Sequence, residues 1–154
     1  RLLKQKMPIS SQAIADGLAH VVELTGLKGR WQKLGDSPLI IADTGHNEAG
    51  IRLIVNQLSR LTYKTLRMVM GVVNDKDVHA MLSLLPKDAT YYFTNAAIPR
   101  ALPASELQEL AKNYDLIGKN YPSVQEALLA AKNEASNDDV IFVGGSNFIV
   151  AEVV

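Results

Sequence analysis

The chain has 154 residues with 16 basic and 16 acidic side chains, so its formal net charge is zero, and 47% of its residues are hydrophobic. This length suits a single core, the balanced charge argues against a nucleic-acid partner, and no apolar run approaches the roughly 20 residues of a membrane span. The lack of cysteine excludes disulfides, thiolate catalysis and cysteine metal sites. We expect a cytoplasmic protein, and because the chain begins at Arg1 without a signal pattern, a fragment of a longer polypeptide.

Apolar periodicity predicts helices and strands that alternate along the chain. The predicted helices span residues 11–24, 47–58, 77–85, 104–113, 123–133 and 148 onward. The predicted strands span residues 31–34, 39–43, 66–71, 90–94, 115–118 and 140–143, with a turn at 35–38. This alternation predicts an α/β fold, a three-layer Rossmann-like domain in which helices flank a mostly parallel sheet of about six strands. The one expected boundary lies near residues 26–30, where a helix gives way to a glycine-rich loop.

The most informative stretch is Asp43-Thr44-Gly45-His46-Asn47, which follows the second predicted strand. Open α/β sheets bind ligands at the carboxyl ends of their strands, and the next helix N-terminus favours an anion. Asp43 is suited to accept hydrogen bonds from ribose hydroxyls, and His46 to donate to a phosphate or carboxylate. Taken singly, Asp43 and Asn47 are better explained as helix caps. The five residues together favour a ligand site.

A second glycine-rich turn, Gly144-Gly145-Ser146-Asn147, follows the last predicted strand. Its backbone N–H groups are suited to form an anion-binding nest, to which Ser146 adds a hydroxyl. A simple turn with Ser146 or Asn147 as helix cap explains the spacing equally well. Phe148 stands where the nucleophile elbow G-x-S-x-G needs its last glycine, so a serine hydrolase is disfavoured.

Two arginines also lie in loops beside predicted strands. Arg30 lies in Gly29-Arg30-Trp31-Gln32, and a guanidinium fork there matches phosphate oxygens. Arg100 follows the strand predicted at 90–94. From the residues alone, each is better explained as a solvated surface arginine. The chain has no G-x-x-x-x-G-K-[ST] phosphate loop, so a bound triphosphate would be held mainly elsewhere.

Four short motifs in this order resemble the C-terminal domain of the folylpolyglutamate synthase/dihydrofolate synthase family, within the Mur ligase superfamily. The motifs are Gly29-Arg30-Trp31-Gln32, Asp43-Thr44-Gly45-His46-Asn47-Glu48, Asp75-Lys76-Asp77 and Gly145-Ser146. Gly45 and Glu48 replace the alanine and proline usual in that family, and neither change removes an expected ligand contact. The resemblance implies that residues 27–154 form the Mur-ligase-type C-terminal (glutamate ligase) domain. Residues 1–26 would then be the tail of a preceding ATPase domain and its linker.

The resemblance also implies a reaction and a role for each site residue. The full enzyme would use ATP to convert a folate carboxylate into an acyl phosphate, which the amino group of glutamate attacks. Arg30 would meet the ATP phosphates and stabilise charge during transfer, and Asp43 would hold the ribose. His46 would lie beside both nucleotide and glutamate and act in catalysis, with Asn47 as a further nucleotide contact. Ser146 would help to bind glutamate.

The same resemblance places the remaining machinery outside this chain. The phosphate loop, the Mg²⁺ ligands and most contacts to dihydropteroate or a reduced folate would lie on the N-terminal ATPase domain. We therefore expect no metal site here, an inactive isolated fragment, and a monomeric parent whose partners are its small-molecule substrates and that ATPase domain.

Two other readings fit the same residues. One is a Mur-type ligase that adds an amino acid to a cell-wall precursor, which only the rest of the parent protein would distinguish. The other is a non-catalytic α/β binding or regulatory module. In that module Asp43 would resemble the phospho-acceptor of a receiver domain, although the acidic pair and lysine that such domains need have no clear counterpart here.

Overall fold

The computed structural model describes residues 9–74 and 77–154. Its helices are α1 (Ser11–Ala19), α2 (Val21–Thr25), α3 (Glu48–Leu58), α4 (Val78–Leu82), α5 (Ala104–Lys112), α6 (Val124–Glu134) and α7 (Asn147–Ala151). Its strands are β1 (Gln32–Asp36), β2 (Leu39–Asp43), β3 (Leu66–Met70), β4 (Thr90–Phe93), β5 (Gly118–Asn120) and β6 (Val140–Gly144). Asp75 and Lys76, which belong to the third motif, lie outside the described residues.

One six-stranded sheet, ordered β1-β2-β6-β3-β4-β5, forms the centre of the fold. β1 pairs with β2 in antiparallel fashion, and all other neighbouring strands run parallel. The last strand, β6, lies between β2 and β3 rather than at an edge. The predicted mostly parallel sheet is therefore confirmed.

Helices cover both faces of this sheet. Successive side chains along each strand point to opposite sides, so the apolar strands have two faces to bury. Ile51 of α3 packs in one buried cluster together with Phe142, and α4 and α5 contribute to the same cluster. Ala127 of α6 packs in the other cluster together with Ile141, and α7 covers the same face. The predicted three-layer arrangement is confirmed.

Side-chain caps begin several of the helices. The Asp77 carboxylate accepts a hydrogen bond from the Ala80 N–H at 3.1 Å and caps α4. The Ser123 hydroxyl accepts one from the Glu126 N–H at 3.2 Å and caps α6. These contacts satisfy N–H groups that have no partner inside the helix.

The first predicted helix was wrong as a single element. The structure divides residues 11–24 at His20, whose backbone (φ −107°, ψ 18°) leaves helical geometry and ends α1. The His20 N–H and ring Nδ1 both contact the Asp16 carbonyl, at 3.0 and 2.9 Å. The ring and the backbone of His20 thus share one carbonyl of the last turn of α1.

Two strand boundaries also differ from prediction. β1 continues through Gly35 and Asp36, which the sequence assigns to a turn, because a register shift after Lys33 keeps the strand paired with β2. β5 begins at Gly118, where the predicted strand 115–118 ends. Asp115 has φ +60°, so that part of the chain is a turn.

Helices α1 and α2 bury none of their residues. The apolar stripe formed by Ile14, Leu18 and Val22 is 41%, 70% and 45% exposed. Such a stripe ordinarily packs against another element. None of the helices within residues 9–74 and 77–154 combines the length and apolar character that crossing a membrane requires.

Candidate functional site

The carboxyl ends of β2 and β6 bring the two predicted glycine turns side by side. Asp43, the last residue of β2, lies opposite Gly144, the last residue of β6, in parallel register. Gly144 in turn lies opposite Met70 at the end of β3. Residues separated by about a hundred positions in sequence thus meet at one edge of the sheet, which is where open α/β sheets bind ligands.

The half-buried Asp43 carboxylate connects two loops at this edge. One carboxylate oxygen, Oδ1, accepts a hydrogen bond from the Gly45 N–H at 2.8 Å. The other, Oδ2, accepts one from the Trp31 N–H at 2.7 Å. Asp43 is therefore not the cap of α3, and each of its oxygens keeps a further lone pair.

The loop that carries Arg30 has an unusual backbone. Gly29 has φ +71°, and Trp31 has φ +46°, a region that bulky residues rarely adopt. Such a conformation costs roughly 1–3 kcal/mol and persists only where surrounding contacts hold it. The loop leaves Arg30 exposed, as expected for a surface arginine, at the same edge as Asp43.

One ring nitrogen of His46, Nδ1, contacts the backbone of the turn that carries it. Its Nδ1 lies 2.9 Å from the carbonyl oxygen of Thr44, and because a carbonyl only accepts, Nδ1 carries a proton. In the neutral ring Nε2 is then an acceptor, so donation from Nε2 to a phosphate or carboxylate requires the imidazolium form. His46 is half-buried beside the Asp43 turn.

Asn47 and Ser146 both act as helix caps, as the alternative reading expected. The Asn47 side chain accepts a hydrogen bond from the Gly50 N–H at 2.8 Å and caps α3. Ser146 is 3% exposed, and its hydroxyl accepts one from the Phe148 N–H at 3.2 Å and caps α7. A serine cap retains its own O–H donor, so capping leaves Ser146 able to donate to a ligand.

The turn after β6 requires its glycines. A Cβ atom at Gly144 would lie 2.8 Å from the Asp43 carbonyl oxygen, and one at Gly145 would lie 2.7 Å from that of Gly71. Gly145 also has φ +93°. Glycine is needed here because the backbones of three neighbouring strands approach one another closely.

Two other residues near this edge make or lack contacts that the sequence did not predict. The Arg100 guanidinium lies 4.9 Å from the centre of the Phe148 ring, a cation–π contact beside the Ser146 turn. The position of Arg100 after a predicted strand was the sequence feature that pointed to this edge. Thr94, which follows β4, is fully buried, and its hydroxyl has no hydrogen-bond partner among the described residues.

The two histidines outside this edge, His20 and His79, are satisfied locally. His79 Nδ1 lies 2.9 Å from the Tyr114 hydroxyl, and His20 contacts the Asp16 carbonyl. Within the part of the chain that the structure describes, no three or more His, Asp or Glu side chains group as metal ligands do.

The chain is similar to longer proteins. It is 31% identical over 150 residues to the dihydrofolate synthase/folylpolyglutamate synthase of Escherichia coli (strain K12), a match covering 96% of this chain and 34% of that protein. The chain thus spans about a third of the length of such curated relatives.

Solved structures show the same fold. E. coli FolC in complex with DHPP and ADP superposes with a TM-score of 0.82 at 30% identity, over 94% of this chain and 34% of that one. A bifunctional folylpolyglutamate synthase/dihydrofolate synthase with Mn, AMPPNP and L-glutamate bound gives 0.83 at 31%, over 99% and 36%. The family model described as "Mur ligase, glutamate ligase domain" matches residues 29–147. The chain belongs to this Mur ligase family of glutamate ligase domains.

Proposed function

We propose that this chain is the C-terminal domain of an ATP-dependent ligase that joins glutamate to a folate-type acid. The register that places Asp43 beside Gly144 carries the proposal, because it unites the proposed nucleotide residues with the proposed glutamate residue Ser146. The similar proteins are named as folylpolyglutamate and dihydrofolate synthases. Solved relatives hold ADP, or AMPPNP with L-glutamate, which supports a site for both substrates.

In the proposed reaction the γ-phosphoryl group of ATP passes to the acid, and the amine of glutamate displaces phosphate to form an amide. Phosphoryl transfer depends chiefly on positioning and charge stabilisation. The exposed Arg30 guanidinium supplies charge to the phosphates, and the free lone pairs of Asp43 accept ribose hydroxyls. The His46 imidazolium donates from Nε2 to an anionic group, Asn47 adds a nucleotide contact, and Ser146 donates to glutamate. A closed domain interface would exclude water from the acyl phosphate.

ATP in such enzymes is used with a divalent cation, which we propose is Mg²⁺; a solved relative contains Mn. The cation would neutralise charge between the phosphates when bound. Because the described residues offer no cluster of three or more candidate ligands, we place the metal ligands in another part of the parent protein.

We also propose that residues 1–26 belong with a preceding ATPase domain and its linker, whereas residues 27–154 form the glutamate ligase domain. The exposed stripe of Ile14, Leu18 and Val22 supports this division. Burying a leucine side chain stabilises a fold by about 1.5–3 kcal/mol. Leu18→Ser should therefore destabilise the full-length parent but leave the 154-residue chain unchanged in thermal unfolding. Leu129→Ser, at a leucine 57% exposed on α6, is the control and should affect neither.

The deciding experiment measures ADP release by the full-length parent supplied with ATP, Mg²⁺ and glutamate. Release that depends on dihydropteroate indicates a dihydrofolate synthase, release that depends on tetrahydrofolate a polyglutamate synthase, and both a bifunctional enzyme. Release with neither acceptor would refute the folate proposal. The isolated chain should release no ADP. A cytoplasmic location and a monomeric state remain predictions.

Arg30→Ala tests the proposed phosphate contact directly. We expect turnover to fall about a hundredfold or more, because the side chain would act on charge that develops in the transition state. Arg60→Ala, at an exposed arginine just after α3, is the control and should keep wild-type turnover. Unchanged turnover in a folded Arg30→Ala enzyme would remove Arg30 from the mechanism.

A further inference from the structure

We propose that the Asp43 carboxylate is a latch that locks the loop of residues 29–32 onto the turn of residues 43–46 and thereby positions Arg30. In this role Asp43 is a positioning residue that acts through Arg30, in addition to any contact with ribose. The part of the proposal that concerns turnover rests on the proposed function of Arg30.

The latch consists of two short hydrogen bonds from one side chain. Asp43 binds the Trp31 N–H at 2.7 Å, twelve residues away in sequence, and the Gly45 N–H at 2.8 Å, two residues away. Hydrogen bonds to an ionised carboxylate are stronger than those between neutral groups. The anchor itself is rigid, because Asp43 ends a strand that pairs with β1 on one side and β6 on the other.

Two further hydrogen bonds complete the loop. The Thr44 N–H donates to the Gly29 carbonyl at 2.8 Å. The Gly29 N–H donates to the Gln32 side-chain oxygen at 2.7 Å. Both of these hydrogen bonds hold the backbone of Gly29, and the bond to Asp43 holds that of Trp31, so the residues on either side of Arg30 are fixed while its side chain is left exposed.

The backbone of Trp31 shows why a latch is needed. Its φ of +46° is disfavoured for a residue with a large side chain, so the loop holds this conformation only against a tendency to relax. The hydrogen bond from Trp31 to Asp43 opposes that relaxation at the strained residue itself. If φ of Trp31 returned to negative values, the chain would change direction at that residue, and the Arg30 side chain would no longer occupy the same position.

Trp31 also provides the test, because it is the only tryptophan in the chain. Its indole is half-buried and packs against the core cluster on the α3 face. In the 154-residue protein, Asp43→Asn should shift Trp31 emission to the red. It should also raise acrylamide quenching about twofold or more, since loss of a charge-assisted bond makes loop opening roughly tenfold more frequent.

Asp36→Asn is the matched control, because it removes the same charge from an exposed carboxylate that pairs with Lys33 on β1. Its emission and quenching should equal those of the wild type. An Asp43→Asn protein that retains the wild-type circular dichroism, emission and quenching would overturn the latch.

Gln32 keeps the proposal testable if Asp43→Asn does not fold. Gln32→Met removes the acceptor of the Gly29 N–H without changing side-chain length, and should raise Trp31 quenching. Gln32→Glu restores an acceptor oxygen at the same place and should restore wild-type quenching. Equal quenching in the two variants would show that the hydrogen bonds within residues 29–32 do not hold the loop.

A double-mutant cycle in the full-length parent tests whether Asp43 acts through Arg30. Asp43→Asn should lower kcat in the wild-type background, yet change it by less than about twofold once Arg30 is alanine. Independent effects on kcat would overturn the coupling, and an effect confined to the KM for ATP would assign Asp43 to ribose alone. If Arg30→Ala leaves kcat unchanged while the fluorescence shifts as expected, the proposed role of Arg30 fails and the latch stands.

Discussion

Replacing Asp139 by asparagine should strongly destabilise this domain. Asp139 directly precedes β6, the strand that ends at the Ser146 turn, and its side chain is 2% exposed. Its carboxylate accepts hydrogen bonds at 3.0 Å from Arg67 Nε on β3, and at 3.0 Å from both the N–H and the hydroxyl of Ser136. Asparagine preserves the shape of the side chain but leaves the largely buried Arg67 cation with Glu134 alone, a more exposed carboxylate at 3.5 Å, as its charge partner.

The magnitude follows from this burial. Breaking a buried ion pair from one side costs about 3–5 kcal/mol, because the remaining charge stays desolvated. Glu134 still compensates part of the Arg67 charge, so we expect a loss at the lower end of that range. For a domain of this length each kcal/mol lowers the melting temperature by about 2–4 °C, so a loss of about 3 kcal/mol should make Asp139→Asn melt roughly 6–12 °C below the wild type at pH 7. Asp115→Asn is the control: its pair with Lys87 is 75% and 66% exposed, and should contribute less than about 1 kcal/mol.

The same carboxyl predicts a pH dependence. Burial alone raises the pKa of Asp139, but hydrogen bonds from Ser136 and Arg67 outweigh burial and hold that pKa below its usual range. A carboxyl with a lowered folded-state pKa stabilises the protein above its unfolded pKa of about 3.9, and this stabilisation is lost as pH falls through the folded value. The difference between wild type and Asp139→Asn should therefore be constant near neutrality and shrink in acid.

Urea unfolding at several pH values, followed by circular dichroism, measures both effects. A difference below about 1 kcal/mol at pH 7 would refute the reasoning about the buried ion pair. A difference that persists in full at acid pH, below the folded pKa, would refute the assignment of that stability to the ionised carboxyl.

Three further substitutions test other parts of the same edge. Thr94→Val should leave the melting temperature unchanged or raise it, because a buried hydroxyl without a partner costs about 1–3 kcal/mol; a clear loss would reveal an unseen partner. Gly145→Ala should lower the free energy of unfolding by at least about 1–3 kcal/mol, because alanine is strained at a left-handed φ and its Cβ would clash with the Gly71 carbonyl oxygen. Gly17→Ala, in an open helical position, is the control and should be neutral or stabilising in the same melting assay. Ser146→Ala should raise the KM for glutamate in the parent enzyme and cost about 1 kcal/mol as a lost cap, and an unchanged KM would exclude the proposed contact.

The architecture was predictable because the strands are strongly apolar and the helices are amphipathic. Elements without that pattern were predicted at the wrong residues. β5 reads Gly118-Lys119-Asn120, and nothing in those residues alternates between apolar and polar. Their strand geometry comes from pairing with β4, which a periodicity argument does not include.

The sequence predicted where the candidate site lies, but not the hydrogen bonds that its residues make. Strand ends identified Asp43 and Ser146, and β-sheet register then brought them together. The sequence could not show that Asp43 binds Trp31, because that contact depends on an antiparallel strand and on a disfavoured φ. Asn47 was correctly recognised as a candidate cap because capping is a local interaction.

The insertion of β6 between β2 and β3 has a consequence for biosynthesis. During translation β2, β3 and β4 leave the ribosome well before β6, so the edges of β2 and β3 that β6 will fill stay unpaired until β6 itself is made. Unpaired edges of this kind invite association with other chains. Because Asp43 and Ser146 meet only through β6, the domain acquires its central strand and its candidate site in the same late event.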